Sequence, residues 1–144
     1  SSRLVSMDKM VGSFFILWYY TVMIDCIFCK IVAGSIPSYK IYEDEKYLAF
    51  LDIFPWTEGH TLVIPKQHTQ WVWDYKNLGE YFEMVAKIAR HHRDITKDVV
   101  RSNIDGWQVA HAHIHLKPTK NNNFTGEQKS HEELVKIQAK FSMI

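Results

Sequence analysis

The chain is short of cysteine, glycine and unbalanced charge, and each shortage excludes a class of protein. With only two cysteines among 144 residues, it lacks the disulfide framework of a small secreted domain. Its 17 basic and 16 acidic residues are interleaved and leave a net charge of +1, so a general nucleic-acid binder, which needs a basic stripe, is not expected. A glycine-rich phosphate loop is also missing. An anionic ligand must therefore be held by a local site.

The longest apolar run lies near the start, at residues 11–24, and is too short for a membrane span of ~20 residues. No small-residue cleavage site follows it, which argues against a secretory signal peptide. We therefore expect a cytoplasmic protein with no membrane partner. We interpret residues 1–22 as an extension, native or vector-derived, that is either a disordered tail or a segment packed on an apolar surface. Residues 23–144 form the predicted domain.

Periodicity and turn residues predict one α+β domain with a five-stranded antiparallel sheet. A long helix is predicted over residues 78–100, with one apolar face made of Leu78, Phe82, Val85, Ile88 and Ala89. Shorter helices are predicted at residues 25–36 and at the C-terminal end, through Leu134, Ile137 and Phe141. The predicted strands are 39–43, 47–52, 61–64, 99–103 and 108–116.

The most informative stretch is an alternating run that contains His111, His113 and His115. In a strand, alternate residues lie ~7 Å apart on one face. Three imidazoles would then line one side, and the core would receive the intervening residues Ala110, Ala112, Ile114 and Leu116. Two functional interpretations stay open at this point. The histidines could be ligands of a single metal ion, or they could form a catalytic face on which one is the nucleophile.

Cys26 and Cys29 are separated by two residues, which is the spacing of half a structural zinc site. A redox motif is the first alternative for such a close pair, but no thioredoxin-like surroundings follow it. A pair of reduced, buried cysteines without a metal is the second alternative. A metal half-site is the interpretation that we favour.

Several short motifs occur in order and together resemble one family. They are Asp25-Cys-Ile-Phe-Cys-Lys-Ile31, Ile36-Pro37, Tyr42-Glu-Asp44, Leu48-Ala-Phe-Leu-Asp-Ile53, Gly59-His-Thr-Leu-Val-Ile-Pro-Lys66, His68 and His111-x-His-x-His115. On these motifs the chain resembles the histidine-triad (HIT) superfamily, and most closely its nucleoside phosphoramidase and dinucleotide-hydrolase (Hint-like) branch. The resemblance covers roughly residues 25–118. It implies a HIT-like sheet and a homodimer.

The resemblance also implies a mechanism that suits the chemistry of imidazole. His113 would attack the α-phosphorus of a purine nucleotide and form a nucleotidyl-histidine, because a neutral imidazole is a competent nucleophile near pH 7. The backbone carbonyl of His111 would hold the other ring nitrogen of His113 as N–H. His115 and His60 would hydrogen-bond phosphate oxygens or assist the leaving group. Water would then release the nucleoside monophosphate.

Further site residues follow from the same resemblance. His68 and His111 would complete a structural Zn²⁺ site with the two cysteines, which leaves His113 free to react. Asp52 would accept hydrogen bonds from the ribose. The base would lie between the apolar residues Phe28, Ile31, Phe50 and Ile53.

The phosphate-binding loop departs from the family pattern. Trp107 stands where relatives carry glutamine, and Gln108 stands where they carry a hydroxyl residue. The loop is also two or three residues shorter than the family's. Asn103 and Gln108 are nonetheless predicted to bind the nucleotide, since the glutamine amide can donate to a phosphate oxygen. The pattern does not specify the substrate.

The sequence is compatible with three functions. The leading one is a hydrolase or transferase acting at the α-phosphate of nucleoside phosphoramidates, acyl-adenylates or dinucleoside polyphosphates. A non-catalytic, zinc-stabilised nucleotide-binding or scaffold protein is the alternative from another class. The third is a metal-dependent hydrolase with His111, His113 and His115 on one ion.

Overall fold

The computed structural model describes residues 14, 16–18 and 25–144. Five strands form its sheet: β1 (Lys40–Glu43), β2 (Tyr47–Leu51), β3 (Thr61–Pro65), β4 (Val100–Asn103) and β5 (Ile114–Pro118). The helices from residue 27 onward are α1 (Ile27–Val32), α2 (Leu78–Thr96) and α3 (His131–Phe141), with a 3-10 turn at Val72–Asp74. The predicted α+β class, with a short first helix, a long helix and a C-terminal helix, is confirmed.

The sheet is antiparallel throughout, in the order β1-β2-β3-β5-β4. Ala49 pairs with Val63, and Val63 pairs with Ile114, so these three side chains share one face. That face carries the larger core, to which buried residues of α2 and α3 contribute. Leu62 pairs with His115 on the opposite face, where α1 packs over a smaller core. The site lies on this second, more thinly covered face.

The two longer helices bury one stripe each against the larger core. In α2 the stripe is Tyr81, Val85, Ile88 and His92, a spacing of three and four residues that matches the helical period. A capping box begins α3: the Ser130 side chain accepts from the Glu133 backbone, and the Glu133 side chain accepts from the Ser130 backbone.

The structure corrects the predicted helix ends. The long helix ends at Thr96 rather than at residue 100, because Lys97 adopts a left-handed φ of 55° and its N–H donates to the Arg93 carbonyl. The first helix is Ile27–Val32 rather than 25–36, since the chain turns at Gly34 with a φ of 79°. Phe82, predicted on the apolar face of α2, is 39% exposed.

The fifth strand is also shorter than predicted. It begins at Ile114 instead of residue 108, because the preceding segment forms a bend in which the Ala112 N–H donates to the Thr69 carbonyl. Ala110 is exposed and not part of the core. Ala112, Ile114 and Leu116 are buried in the larger core as predicted.

The predicted extension at residues 1–22 falls largely outside the described residues. Phe14 and residues 16–18 are helical and exposed, and the two alternatives for this extension stay untested. Among the described residues, no helix is long and apolar enough to cross a membrane.

Candidate functional site

Two cysteines and two histidines from distant parts of the chain meet beside α1. Cys26 caps the N-terminus of α1 and Cys29 lies in its first turn, whereas His68 follows β3 and His111 precedes β5. Their four potential ligand atoms all lie within 4.8 Å of one another. The His68 Nδ1 is 3.2 Å from the Cys29 Sγ, and the His111 Nδ1 is 3.4 Å from the Cys26 Sγ. The four predicted metal ligands therefore form one cluster.

The chemistry of this cluster fits a tetrahedral zinc ion. Typical zinc bonds to sulfur and nitrogen place those atoms ~3.6 Å apart around the ion, close to the S···N distances of 3.2, 3.4 and 3.5 Å found here. The His111 Nε2–H donates to the Pro65 carbonyl at 2.8 Å, which leaves the Nδ1 lone pair facing the sulfurs. Burial lowers the pKa of His111 to about 4, so this ring is neutral at pH 7.

His113 is held in one tautomer by its neighbour. Its Nδ1–H donates to the His111 carbonyl at 2.7 Å, so the Nε2 carries the lone pair. The ring lies between two others, with its centroid 5.3 Å from that of Phe28 and 5.2 Å from that of His115. His113 is buried, yet it lines a cavity. The neutral form of this ring would therefore offer its Nε2 lone pair to a molecule bound in the cavity.

A chain of hydrogen bonds fixes the tautomers of His60 and His115 as well. The Trp56 backbone N–H donates to the His60 Nδ1 at 3.2 Å, so the His60 Nε2 must carry the proton. That Nε2 lies 2.9 Å from the His115 Nδ1, which therefore accepts, and the His115 proton is on Nε2. Desolvation lowers the pKa of His60 to about 3 and that of His115 to about 4. Both rings are neutral donors at pH 7.

The cavity beside these histidines has a volume of about 510 Å³, enough for a nucleotide-sized ligand. Phe28, Ile31 and Phe50 line its apolar part. In its polar part, Asp52 accepts from the Phe54 N–H at 2.8 Å and lies 3.7 Å from the His60 Nε2. Burial raises the pKa of Asp52, and the hydrogen bond from the Phe54 N–H opposes that rise, with smaller contributions from His113 and Lys117.

Most of the predicted nucleotide-binding residues line this one cavity: Phe28, Ile31, Phe50, Asp52, Ile53 and Gln108. Asn103 is not among the lining residues; its side-chain amide donates to Asp105 at 2.7 Å. Its contact with nucleotide stays a prediction. The sequence reasoning missed Asp105 and Lys117, which also line the cavity. Lys117 continues the alternation of the histidines, a usable signal, whereas only the folded loop brings Asp105 there.

The three alternating histidines do not converge on one point. Among residues 25–144, the possible metal clusters place His111 with His68 and the cysteines, and His115 with Asp52 and His60. His113 belongs to neither cluster. The arrangement disfavours a single ion shared by the triplet, because His111 and His115 lie in different clusters and His113 lies in neither.

Comparison with known proteins identifies the family. The HIT domain family matches residues 33–122, more than half of the chain. "Protein hit" of Bacillus subtilis is 44% identical over 119 residues, covering 76% of this chain and 82% of that protein. "Adenosine 5'-monophosphoramidase HNT1" of Saccharomyces cerevisiae is 39% identical over 97 residues, covering 65% of this chain and 61% of that protein.

Solved structures agree. A HIT-like protein from Bartonella henselae has a TM-score of 0.74 at 29% identity, over 81% of this chain and 93% of that one. A zinc-bound histidine triad family protein from Mycobacterium smegmatis has a TM-score of 0.66 at 34% identity, over 81% of this chain and 95% of that one. With the family match, the shared sheet and the histidine cluster in agreement, the chain belongs to the HIT family.

Proposed function

We propose that this protein hydrolyses purine nucleotides that carry a substituent on the α-phosphate, through a nucleotidyl intermediate on His113. One observation carries the proposal: the 2.7 Å hydrogen bond from the His113 Nδ1–H to the His111 carbonyl directs the nucleophilic lone pair to Nε2, at a cavity wall. The similarity to a yeast adenosine 5'-monophosphoramidase supports the reaction class. Phosphoramidates, acyl-adenylates and dinucleoside polyphosphates are the candidate substrates.

The proposed reaction has two displacement steps. In the first, a bond forms between the His113 Nε2 and phosphorus as the bond from phosphorus to the leaving group breaks. The leaving group departs with the bonding electrons and takes a proton from solvent. In the second, a water oxygen bonds to phosphorus, its proton goes to solvent, and the electrons of the P–N bond return to His113. The Nε2–H of His115 stabilises charge on the phosphate in both steps.

The remaining cavity residues would position the nucleotide. Phe28, Ile31, Phe50 and Ile53 offer an apolar slot for the base. The Asp52 carboxylate offers an acceptor for the ribose, since only one of its oxygens has a close backbone donor within residues 25–144. Gln108 offers an amide to the phosphate.

We further propose that Cys26, Cys29, His68 and His111 hold a structural zinc ion. Bound there, zinc would supply no chemistry to the reaction; it would tie α1 to the segment that carries His113. The zinc-bound relative and the tautomer of His111 support this assignment.

We also propose that the protein forms the predicted homodimer. Large apolar side chains are exposed before and along α2, at Trp71, Trp73 and Phe82, and a partner copy would cover them. Light scattering on the purified protein would test it, and a monomer at micromolar concentration would contradict it.

The decisive experiment follows a nucleotide labelled at the α-phosphate. Incubation with adenosine 5'-phosphoramidate, followed by an acid-free quench, should leave a base-stable phosphorus label on the wild-type chain and none on His113→Ala. An exposed histidine provides the control, since His131→Ala should label like the wild type. Binding without turnover in the wild type would instead favour a non-catalytic nucleotide-binding protein.

A further inference from the structure

The charged groups of the cavity do not balance. Among the described lining residues, the carboxylates are Asp52 and Asp105, and the one ammonium is Lys117. Two carboxylates and one ammonium leave one negative charge in excess in the lining. No described lysine or arginine forms an ion pair with Asp105. For a site that must accept a phosphate, an uncompensated carboxylate is costly and calls for an explanation.

Asp105 is held in place by its own loop. The Asn103 side-chain amide donates to the Asp105 Oδ2 at 2.7 Å. The next residue, Gly106, has a φ of 78°, and an added Cβ there would lie 3.1 Å from the Trp71 ring. Trp71 therefore packs directly on the turn that follows Asp105. The carboxylate has a defined position, although its side chain is 42% exposed.

Asp105 and His115 line the cavity side by side. The Asp105 Oδ2 is 3.8 Å from the His115 Nε2, which is too long for a hydrogen bond. The His115 side chain is 8% exposed, and its Nε2 has no hydrogen-bond partner among the described residues. A donor and an acceptor thus face the same part of the cavity without satisfying each other.

The chemistry of this pair selects among leaving groups. A phosphate oxygen can accept from the His115 Nε2–H, and an amine nitrogen attached to that phosphorus can donate its N–H to Asp105. The bridging oxygen of a phosphoanhydride has no hydrogen to donate, and the phosphates beyond it would bring negative charge towards the carboxylate. Only the first kind of substrate satisfies both protein groups.

We propose that Asp105 selects the leaving group, favouring nucleoside phosphoramidates with a neutral or cationic amine over substrates with a further phosphate or other anion. The inference rests on the proposed function and narrows its substrate class. Asp105 touches the departing amine and does not take part in bond formation, so it is a specificity-determining residue.

A series of three substrates of similar size and different charge tests the proposal. The adenosine 5'-phosphoramidates of a 3-aminopropyl, a butyl and a 2-carboxyethyl amine carry a terminal charge of plus one, zero and minus one. Wild-type kcat/KM should fall along this series by about tenfold from cation to anion, an electrostatic effect reduced by solvent screening at a partly exposed carboxylate. In Asp105→Asn, which keeps an acceptor for Asn103, the series should become nearly flat.

A control variant and two contradicting outcomes complete the test. Asp94→Asn removes an exposed carboxylate of α2 outside the cavity and should leave the slope of the series unchanged. An unchanged slope in Asp105→Asn, or wild-type preference for the anionic substrate, would overturn the inference.

Failure of the proposed function looks different from failure of the inference. Lack of wild-type turnover on all three compounds would refute the hydrolase assignment. The charge preference is then read from their competitive binding to His113→Ala, which requires no chemistry. A flat binding series, or no binding at all, would refute the selection by Asp105.

Discussion

The ligand cluster (Cys26, Cys29, His68 and His111) and the cavity lined by His113 and His115 both contain histidines from one five-residue segment. The histidines of the two regions differ in which ring nitrogens have hydrogen-bond partners or ligands. Both nitrogens of His111 have partners, the Pro65 carbonyl on one side and cysteine sulfur on the other. His113 has one nitrogen held by a carbonyl and one left at the cavity. The environment of the second ring nitrogen is the basis on which we propose a structural role for His111 and a reactive one for His113.

The same comparison extends to the two faces of the sheet. The face under α2 and α3 holds a core built mainly of aliphatic and aromatic side chains. The other face has the short α1 above it, and there His60, His113 and His115 are buried around a cavity. A thinly covered sheet face leaves room for a ligand, whereas a fully covered one contributes stability.

The largest expected effect is on turnover. His113→Ala should lower kcat for adenosine 5'-phosphoramidate by at least about 10⁴-fold, because it removes the nucleophile itself. Thermal unfolding should change by only a few degrees, since the ring borders a cavity. Measurable turnover in this variant, above that of a mock purification, would break the distinction between the two histidine groups.

Substitution in the ligand cluster should mainly lower stability, whereas His113→Ala mainly lowers turnover. Cys26→Ser should lower Tm by about 10 °C through loss of the metal crosslink and should reduce the zinc content measured by atomic emission from about one ion per chain towards zero. A chelator should lower the Tm of the wild type but not that of the variant. Metal-free wild-type protein of equal stability would refute the zinc site.

An intermediate effect is expected at the ribose end of the cavity. Asp52→Asn should reduce the preference for ribonucleotide over 2'-deoxyribonucleotide substrates by about tenfold, because the carboxylate is the stronger acceptor for a hydroxyl. The readout is kcat/KM for the two sugars, with Asp94→Asn as the control. An unaltered preference would place the ribose elsewhere.

The smallest effect concerns a histidine that belongs to neither group. His92 is fully buried against Phe141, and its Nε2 lies 2.8 Å from the Thr61 hydroxyl. Its Nδ1 has no partner in the part of the chain that the structure describes. Desolvation, with a smaller contribution from the charge of His91, lowers the pKa of His92 from 6.5 to about 3. Between these values the unfolded chain binds the proton and the folded chain does not. Stability is therefore retained above pH 6.5 and lost as the pH falls towards 3.

The variant His92→Leu tests whether His92 contributes to the loss of stability at low pH. Chemical denaturation between pH 6.5 and 4 should show a shallower loss of stability in the variant, by up to ~1.4 kcal/mol per pH unit. The exposed-histidine variant His131→Asn should follow the wild type. Equal slopes for His92→Leu and the wild type would show that His92 takes up no proton on unfolding.

Local sequence patterns were sufficient to predict most of the helices and strands. The period of α2, the alternation of the strands and the turn residues between them identified the five strands and three helices, because these patterns reflect burial on one side of an element. The errors lie at ends and bends. The predicted strand over 108–116 continued through a stretch in which a backbone hydrogen bond from Ala112 to Thr69 bends the chain away from the sheet, and no local pattern reports that contact.

The sequence by itself determined the residue types of the site and, through ordered motifs, its family: two cysteines at metal spacing, three alternating histidines and an acid in an apolar strand. Only the tertiary structure showed which ring nitrogens of His111, His60 and His115 have partners. The tautomers depend on contacts with Pro65 and Trp56, which lie 46 and 4 residues from the rings they orient. Asp105 reached the cavity by a turn packed on Trp71. Hydrogen-bond direction and loop path depend on contacts that exist only once the chain has folded.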